Sequence, residues 1–193
     1  YDVRVNVGAA SLNRFGELAS HFESPATATL DFVFSERDRD DIAYTMLDDE
    51  KGDPGAVKPM EMEMVPLGRA PETLPGVRLG SGVASDLRLV GTAISAPKFG
   101  EDTYLAISAQ TPYNRLVVPR VALSATVSGG GLVRFDDRLE PGLDPELGFH
   151  YGATVPSLAA DDTVEVSVDT PPQVARHEGY ETAFLEFDTV RLT

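Results

Sequence analysis

The chain has 193 residues, of which 42% are hydrophobic, so it has enough apolar side chains for a packed globular domain and too many for a disordered chain. No apolar run approaches the roughly 18 residues of a membrane-spanning helix. The absence of cysteine excludes disulfides and cysteine-rich zinc sites, and the net charge of −15 argues against a nucleic-acid partner.

The basic residues are unusual in kind, because only Lys51, Lys58 and Lys98 among the 16 are lysine. Many dispersed acids and few lysines are typical of salt-adapted halophilic proteins, since high ionic strength screens the self-repulsion. A mildly acidic mesophilic protein is the alternative interpretation.

The first 48 residues predict two strands and a short helix. "YDVRVNV" (1–7) alternates apolar and polar residues, and "TATLDFVF" (27–34) is rich in β-branched and aromatic residues. Ser35 can cap a helix at about 36–48. The chain opens in mid-strand without a signal-peptide pattern. We therefore expect residues 1–48 to be the tail of an upstream related domain.

Residues 49–82 are so rich in proline and glycine that we expect a linker. Within it, "MEMEM" (60–64) would place three thioethers on one face of a strand, from Met60, Met62 and Met64. Thioethers suit Cu(I), which makes these residues secondary metal candidates. Adaptable apolar packing is the alternative that we favour.

From residue 83 to 193, short strand patterns recur with turn residues between them, among them "TYLAISAQ" (103–110), "GLVRF" (131–135) and "TAFLEFDTVRL" (182–192). This spacing with almost no helix predicts an all-β fold: an immunoglobulin-like β-sandwich with a short N-terminal strand/helix segment. One compact loop, "TPYNR", offers Tyr113, Asn114 and Arg115 for recognition of a partner. A proline-led turn without a binding role is the simpler interpretation.

An internal similarity links the two ends of the chain. "YDVRVNV" and "DTVEVSV" (162–168) both carry valine at alternate positions, and each precedes a loop and a Leu-acid-Phe segment, "LDF" or "LEF". The pattern indicates two copies of one closing β-element, although two strand–loop–strand units can also resemble each other by chance.

Two histidines, His150 in "GFHYG" and His177 in "ARHEGYE", fall at expected loop ends. Loops at one end of a sandwich converge, so the two imidazoles could bind a metal together, with Glu178 or Glu181 completing the set. Alternatively, each ring donates to a backbone carbonyl and fixes its loop. Neither a nucleophile elbow nor a phosphate-binding loop is found, so no enzymatic activity is predicted.

The set "TPYNR…LDPELGFHYGA…TPPQVARHEGYETAF" resembles the C-terminal domain of haloarchaeal iron-transporter-like proteins. These are related to the periplasmic iron-transport family of immunoglobulin-like fold, which includes a treponemal surface lipoprotein. In that family a His-Tyr-Gly segment and a later Arg-His loop each give a histidine to a copper or iron site. The resemblance implies that His150 and His177 are ligands here.

The resemblance also implies an exported, non-enzymatic accessory of iron or copper uptake. The protein would lie at the extracellular face, anchored through a missing N-terminal region, with an upstream domain and a membrane permease or surface protein as partners. The family draws further ligands from a His-x-Glu strand and a methionine, and neither is found in "VALSATV" (121–127) or "EPGLDPEL" (140–147). Either "MEMEM" or acids such as Glu146 and Glu178 complete the site, or this domain is a metal-free structural or interaction module.

Overall fold

The computed structural model describes residues 2–9, 11–21, 23–31, 33, 35–37, 66–156, 158–159, 161–172 and 184–192. These residues form eleven β-strands and three short 3-10 helices, which confirms the predicted all-β fold. The strands are β1 (Asp2–Val7), β2 (Asn13–Arg14), β3 (Ala26–Asp31), β4 (Val77–Ala84), β5 (Leu87–Ile94), β6 (Thr103–Gln110), β7 (Ala122–Gly129), β8 (Leu132–Asp144), β9 (Gly148–Val155), β10 (Thr163–Thr170) and β11 (Val190–Arg191). The 3-10 helices are Gly16–Leu18, Pro71–Thr73 and Pro97–Phe99.

The sandwich is built from one continuous run of paired strands, in the order β11-β10-β7-β8-β9-β6-β5-β4. One layer contains β11, β10 and β7, and the other contains β9, β6, β5 and β4. Strand β8 joins the two layers, because its first part pairs with β7 and its last part, Glu140–Asp144, pairs with β9. The run also curls back on itself, since Val190 of β11 lies against Gly82 of β4. The paired strands therefore enclose one main hydrophobic core.

Alternation along each strand sends one row of side chains into that core. On β6, Leu105, Ile107 and Ala109 are buried in it. The intervening Tyr104 and Ala106 point to the opposite face, where a second apolar cluster forms with Phe99 and other residues. The second cluster carries the candidate site.

The predicted linker at 49–82 is only partly described, and its last residues are not linker, because β4 begins at Val77. Gly80 and Gly82 made this segment resemble a loop. In the structure a side chain at Gly82 would lie 2.3 Å from Val190. The glycine is therefore required by packing between strands rather than by a turn.

The strand boundaries differ from the prediction in two other places. Strand β9 begins at Gly148, so His150 lies within a strand and not at the end of a loop. The strand expected over 182–192 is reduced, among the described residues, to Val190–Arg191. Apart from residues 36–37, the predicted helix at 36–48 lies outside the described residues.

The N-terminal segment divides into two parts. Strands β1 and β3 form a separate two-stranded antiparallel sheet. We call it the β1–β3 hairpin, although β2 lies in the connection between its strands. Strand β2 instead pairs in parallel with the end of β8, and the Phe15 N–H donates to the Leu143 carbonyl at 3.0 Å. This pairing places the Phe15 ring on the second apolar cluster.

Candidate functional site

His150 occupies the third position of β9, on the face opposite the main core. Its neighbours Phe149 and Tyr151 pack into the main core, so alternation turns the imidazole toward the second apolar cluster. The side chain is almost completely enclosed, at 1% exposure. Gly142 on the adjacent strand provides the space, because a Cβ there would lie 2.8 Å from His150 Nε2.

Both ring nitrogens of His150 are hydrogen-bonded. Nδ1 lies 2.9 Å from the Gly148 carbonyl oxygen, which can only accept, so Nδ1 carries the proton. Nε2 is then an acceptor, and the Tyr104 hydroxyl lies 3.1 Å away to donate to it. These two hydrogen bonds hold the neutral imidazole in one tautomer and one orientation.

Two aromatic rings pack on this histidine, and a third ring, Phe99, packs on both of them. Phe15 stacks on His150 with centroids 5.9 Å apart, and Tyr104 meets it edge-on at 5.7 Å. Tyr104 is itself stacked on Phe99 at 4.3 Å and 7° between planes. The Nε2 lone pair therefore faces a packed hydroxyl and not an open cavity.

An ion pair lies beside the aromatic rings, at the turn between β8 and β9. The Asp144 carboxylate is buried, and its Oδ1 accepts from the backbone N–H groups of Glu146 and Leu147 at 2.9 and 3.1 Å. Its Oδ2 has no well-directed hydrogen bond but lies 2.7 Å from the Lys98 ammonium, which also reaches Glu146. The turn is thereby tied to the Pro97–Phe99 helix.

Burial dominates the protonation of His150. It lowers the pKa of the imidazole, as does the Lys98 charge, while the Gly148 hydrogen bond and the Asp144 carboxylate oppose this effect. Burial likewise raises the pKa of the Tyr104 hydroxyl, and Asp144 adds to that shift. At neutral pH the pair is therefore an uncharged donor and acceptor.

The lowered histidine pKa predicts a pH-dependent stability. Because the unfolded chain binds this proton more readily, the free energy of unfolding should fall as pH decreases below about 6.5, by at most about 1.4 kcal/mol per pH unit. Urea denaturation between pH 5 and 8 should show this slope in the wild type. It should be absent in His150→Gln and retained in His21→Gln, whose ring is exposed; equal slopes in all three would contradict the assignment.

Of the other predicted ligands, His177, Glu178, Met60, Met62 and Met64 lie outside the described residues. Within the described part of the chain, no three His, Asp or Glu residues are grouped so that they could hold a metal ion. Glu146, a candidate from the sequence, is paired with Lys98.

The predicted recognition loop is a closed turn with one prominent side chain. Tyr113 is 67% exposed. Asn114 accepts from the Thr111 hydroxyl, and Arg115 adopts a left-handed conformation with φ 55°. The Arg115 backbone N–H donates to Thr111 and its carbonyl accepts from Gly68, at 3.1 and 2.7 Å. Asn114 and Arg115 thus shape the turn, and Tyr113 is the group that it presents.

The β1–β3 hairpin has one apolar face that faces solvent. Paired residues across the hairpin share a face, and the register matches Val3 with Leu30, Val5 with Ala28 and Val7 with Ala26. All six residues are exposed, with Val3 and Val5 at 38% and 39% and Val7 and Leu30 at 57% and 56%. The alternation of apolar residues in β1 is visible in the sequence, but the sequence does not show that this apolar row is exposed to solvent.

No helix among the described residues is long and apolar enough to cross a membrane. No curated protein matches the chain. Two solved structures of FetP from uropathogenic Escherichia coli strain F11 are similar to it. A copper-bound variant has 14% identity and a TM-score of 0.47, covering 60% of this chain and 93% of that one. The protein as isolated has 15% identity and the same TM-score, covering 60% and 91%.

A family model described as a domain of unknown function (DUF7350) matches residues 72–193. The match begins just before β4 and includes every later strand of the sandwich. The chain therefore belongs to the DUF7350 family.

Proposed function

We propose that this domain is a non-enzymatic protein-interaction module of an exported iron- or copper-uptake system. The observation that carries the proposal is the exposed apolar face of the β1–β3 hairpin. The uptake setting is supported by the sequence resemblance around His150 and "PPQVARHEG". It is tested by growing the host under iron or copper limitation, where the level of the protein should rise.

The partner that best fits the hairpin is the apolar inner face of another β-sheet. The valine row of β1 corresponds in the sequence to that of β10, where Val164 and Val166 are 4% and 0% exposed inside the sandwich core. The opposite hairpin face is polar, with the Thr27 hydroxyl donating to Asn6 at 2.8 Å. A two-faced hairpin of this kind suits the closing of a neighbouring sandwich, such as an upstream related domain.

The hydrogen bonding of His150 supports a module that acts through contacts rather than through a metal at this residue. Both ring nitrogens are used, and a metal at Nε2 would have to displace the Tyr104 hydroxyl. The Phe15 and Phe99 rings pack on Tyr104 and resist that movement. In this proposal His150 anchors β9 to β6.

Replacing Val3, Val5 and Leu30 together by threonine should abolish association through the hairpin. Threonine is β-branched like valine and has a high strand propensity, and it adds a polar hydroxyl. In high salt we expect the wild type to bind a hydrophobic dye and to show a mass above one chain by light scattering at high concentration. The triple variant should do neither.

Arg4→Thr is the matched control, because it adds the same residue to the polar face of the same strand. It should associate like the wild type. A wild-type protein that is monomeric at every concentration and does not bind the dye would overturn the hairpin as a contact surface.

A second candidate function is metal binding by His150 together with His177 and Glu178. One observation favours it: the Nδ1–H of His150 donates to a backbone carbonyl, which leaves the lone pair on Nε2. Histidines that bind metals usually have their other nitrogen held in this way. The Tyr104 hydroxyl would then be the group that a metal replaces.

Calorimetric titration with Cu(II) and anaerobic Fe(II) in high salt distinguishes the two candidates. Under the interaction proposal, the wild type should show no saturable binding that depends on His150. Metal binding that is lost in both His150→Gln and His177→Ala, and retained in His21→Gln, would establish the second candidate in its place.

A further inference from the structure

A cavity separate from the His150 cluster opens on the other side of β9. It has a volume of about 430 Å³ and lies between the start of β7, the second half of β8 and the residues preceding β2. Leu12, Val121 and Phe149 contribute apolar walls, while Arg120, Arg138 and Glu140 contribute charged groups. Ligand pockets commonly have volumes of about 300–1,000 Å³ and a similar mixture of apolar walls and few polar groups.

Within the described part of the chain, neither of the two arginines has a close ion pair, although the protein is rich in acidic residues. The Arg138 side chain is 71% exposed, and its one ion pair with another described residue is distant, at 3.9 Å from Asp169. The Arg120 guanidinium has neither an ion pair nor a hydrogen bond within the part of the chain that the structure describes. The net charge of the protein, −15, disfavours anion binding in general, so an anion needs cationic groups such as these two guanidinium groups at one cavity.

The backbone around Arg120 is rigidly held. Arg120 has a left-handed conformation, φ 57°, which is uncommon for a residue with a side chain. The buried Tyr151 hydroxyl accepts from the Val121 N–H at 3.3 Å and donates to the Val118 carbonyl at 3.2 Å. The turn that carries the guanidinium is thus fastened to β9, which is the kind of support that a binding group needs.

We propose that this cavity binds a small organic carboxylate with an apolar tail. The carboxylate would be held by Arg120 and Arg138, because the planar guanidinium matches a carboxylate and forms strong charge-assisted hydrogen bonds. The tail would lie against Leu12, Val121 and Phe149. Glu140 at the same cavity disfavours ligands with more than one negative charge. This site does not depend on the hairpin or on a metal.

Hexanoate is a suitable probe, with hexylammonium as a matched cation of the same tail length. In two-dimensional NMR titrations of the whole chain, hexanoate should give saturable shifts centred on the amides of Arg120, Val121 and Phe149. Hexylammonium should not. Arg120→Gln and Arg138→Gln should each weaken hexanoate binding about tenfold, the effect of one lost charge-assisted hydrogen bond.

Arg78→Gln is the control, because Arg78 is an exposed arginine on β4 and does not line the cavity. It should bind hexanoate like the wild type, and dispersed spectra of all three variants establish that each is folded. The proposal is overturned if hexanoate causes no saturable shifts, if hexylammonium binds equally well, or if the Arg120 and Arg138 variants keep wild-type affinity.

Discussion

Replacing Gly152 by alanine should destabilise the domain by about 3 kcal/mol, the sum of overpacking and one lost hydrogen bond. A Cβ at this position on β9 would lie 2.3 Å from the Tyr104 oxygen and 2.4 Å from its Cζ. The Tyr104 ring cannot simply move away, because Phe99 stacks on it at 4.3 Å and Phe15 packs at 5.4 Å. Displacing it would also break the bond to His150. Urea denaturation at neutral pH measures the loss.

A double-mutant cycle tests the cause of this loss. Tyr104→Leu removes the aromatic ring and its hydroxyl, so Gly152→Ala should cost much less in that background than in the wild type. Gly8→Ala is a control for the loss of glycine itself, since no atom lies within 4 Å of a Cβ there. Additive effects in the cycle would mean that Gly152 is required for some reason other than Tyr104.

The strands that the sequence predicted well are those whose pattern is local. Strand β6 matches its predicted span, Thr103–Gln110, because its alternation and β-branched residues are visible in the sequence. The sequence did not predict strand β4, because its Gly82 makes room for β11, more than 100 residues away in the chain. The second half of β8 was not predicted, because it contains Pro141, and proline is rare inside strands. In the structure Pro141 lies where β8 stops pairing with β7 and begins to pair with β9.

The candidate site shows the same limit. The sequence singled out His150, and alternation with Phe149 and Tyr151 could have placed it on the face away from the core. Its partner Tyr104 is 46 residues away, and no spacing rule connects them. Phe15 reaches the site only because β2 pairs with β8. The distinction between a ligand and an anchor depends on these distant contacts.

Replacing Lys98 by methionine should cause the second large loss of stability, because it removes the ion pair beside the site. Methionine is similar to lysine in the apolar part of its side chain but has no charge. In the wild type the Lys98 Nζ lies 2.7 Å from the Asp144 Oδ2, so the substitution leaves this buried oxygen without its cation. An unpaired buried group of this kind costs about 1–3 kcal/mol, and we expect about 2 because two backbone N–H groups still bind Oδ1. Thermal and urea unfolding at pH 7 measure the loss.

The pH dependence of this loss identifies its origin. Burial alone would raise the pKa of Asp144, but the Lys98 ammonium and the backbone N–H groups of Leu147 and Glu146 hold it below its usual value. The stabilisation is therefore complete above the unfolded pKa of about 3.9 and is lost as the pH falls below it. The difference in unfolding free energy between wild type and Lys98→Met should shrink below about pH 4. In Lys98→Met/Asp144→Asn the lost stability should be partly recovered at pH 7. A pH-independent loss would instead point to the Lys98 ammonium over the Phe99 ring, which lies 5.1 Å from the ring centroid.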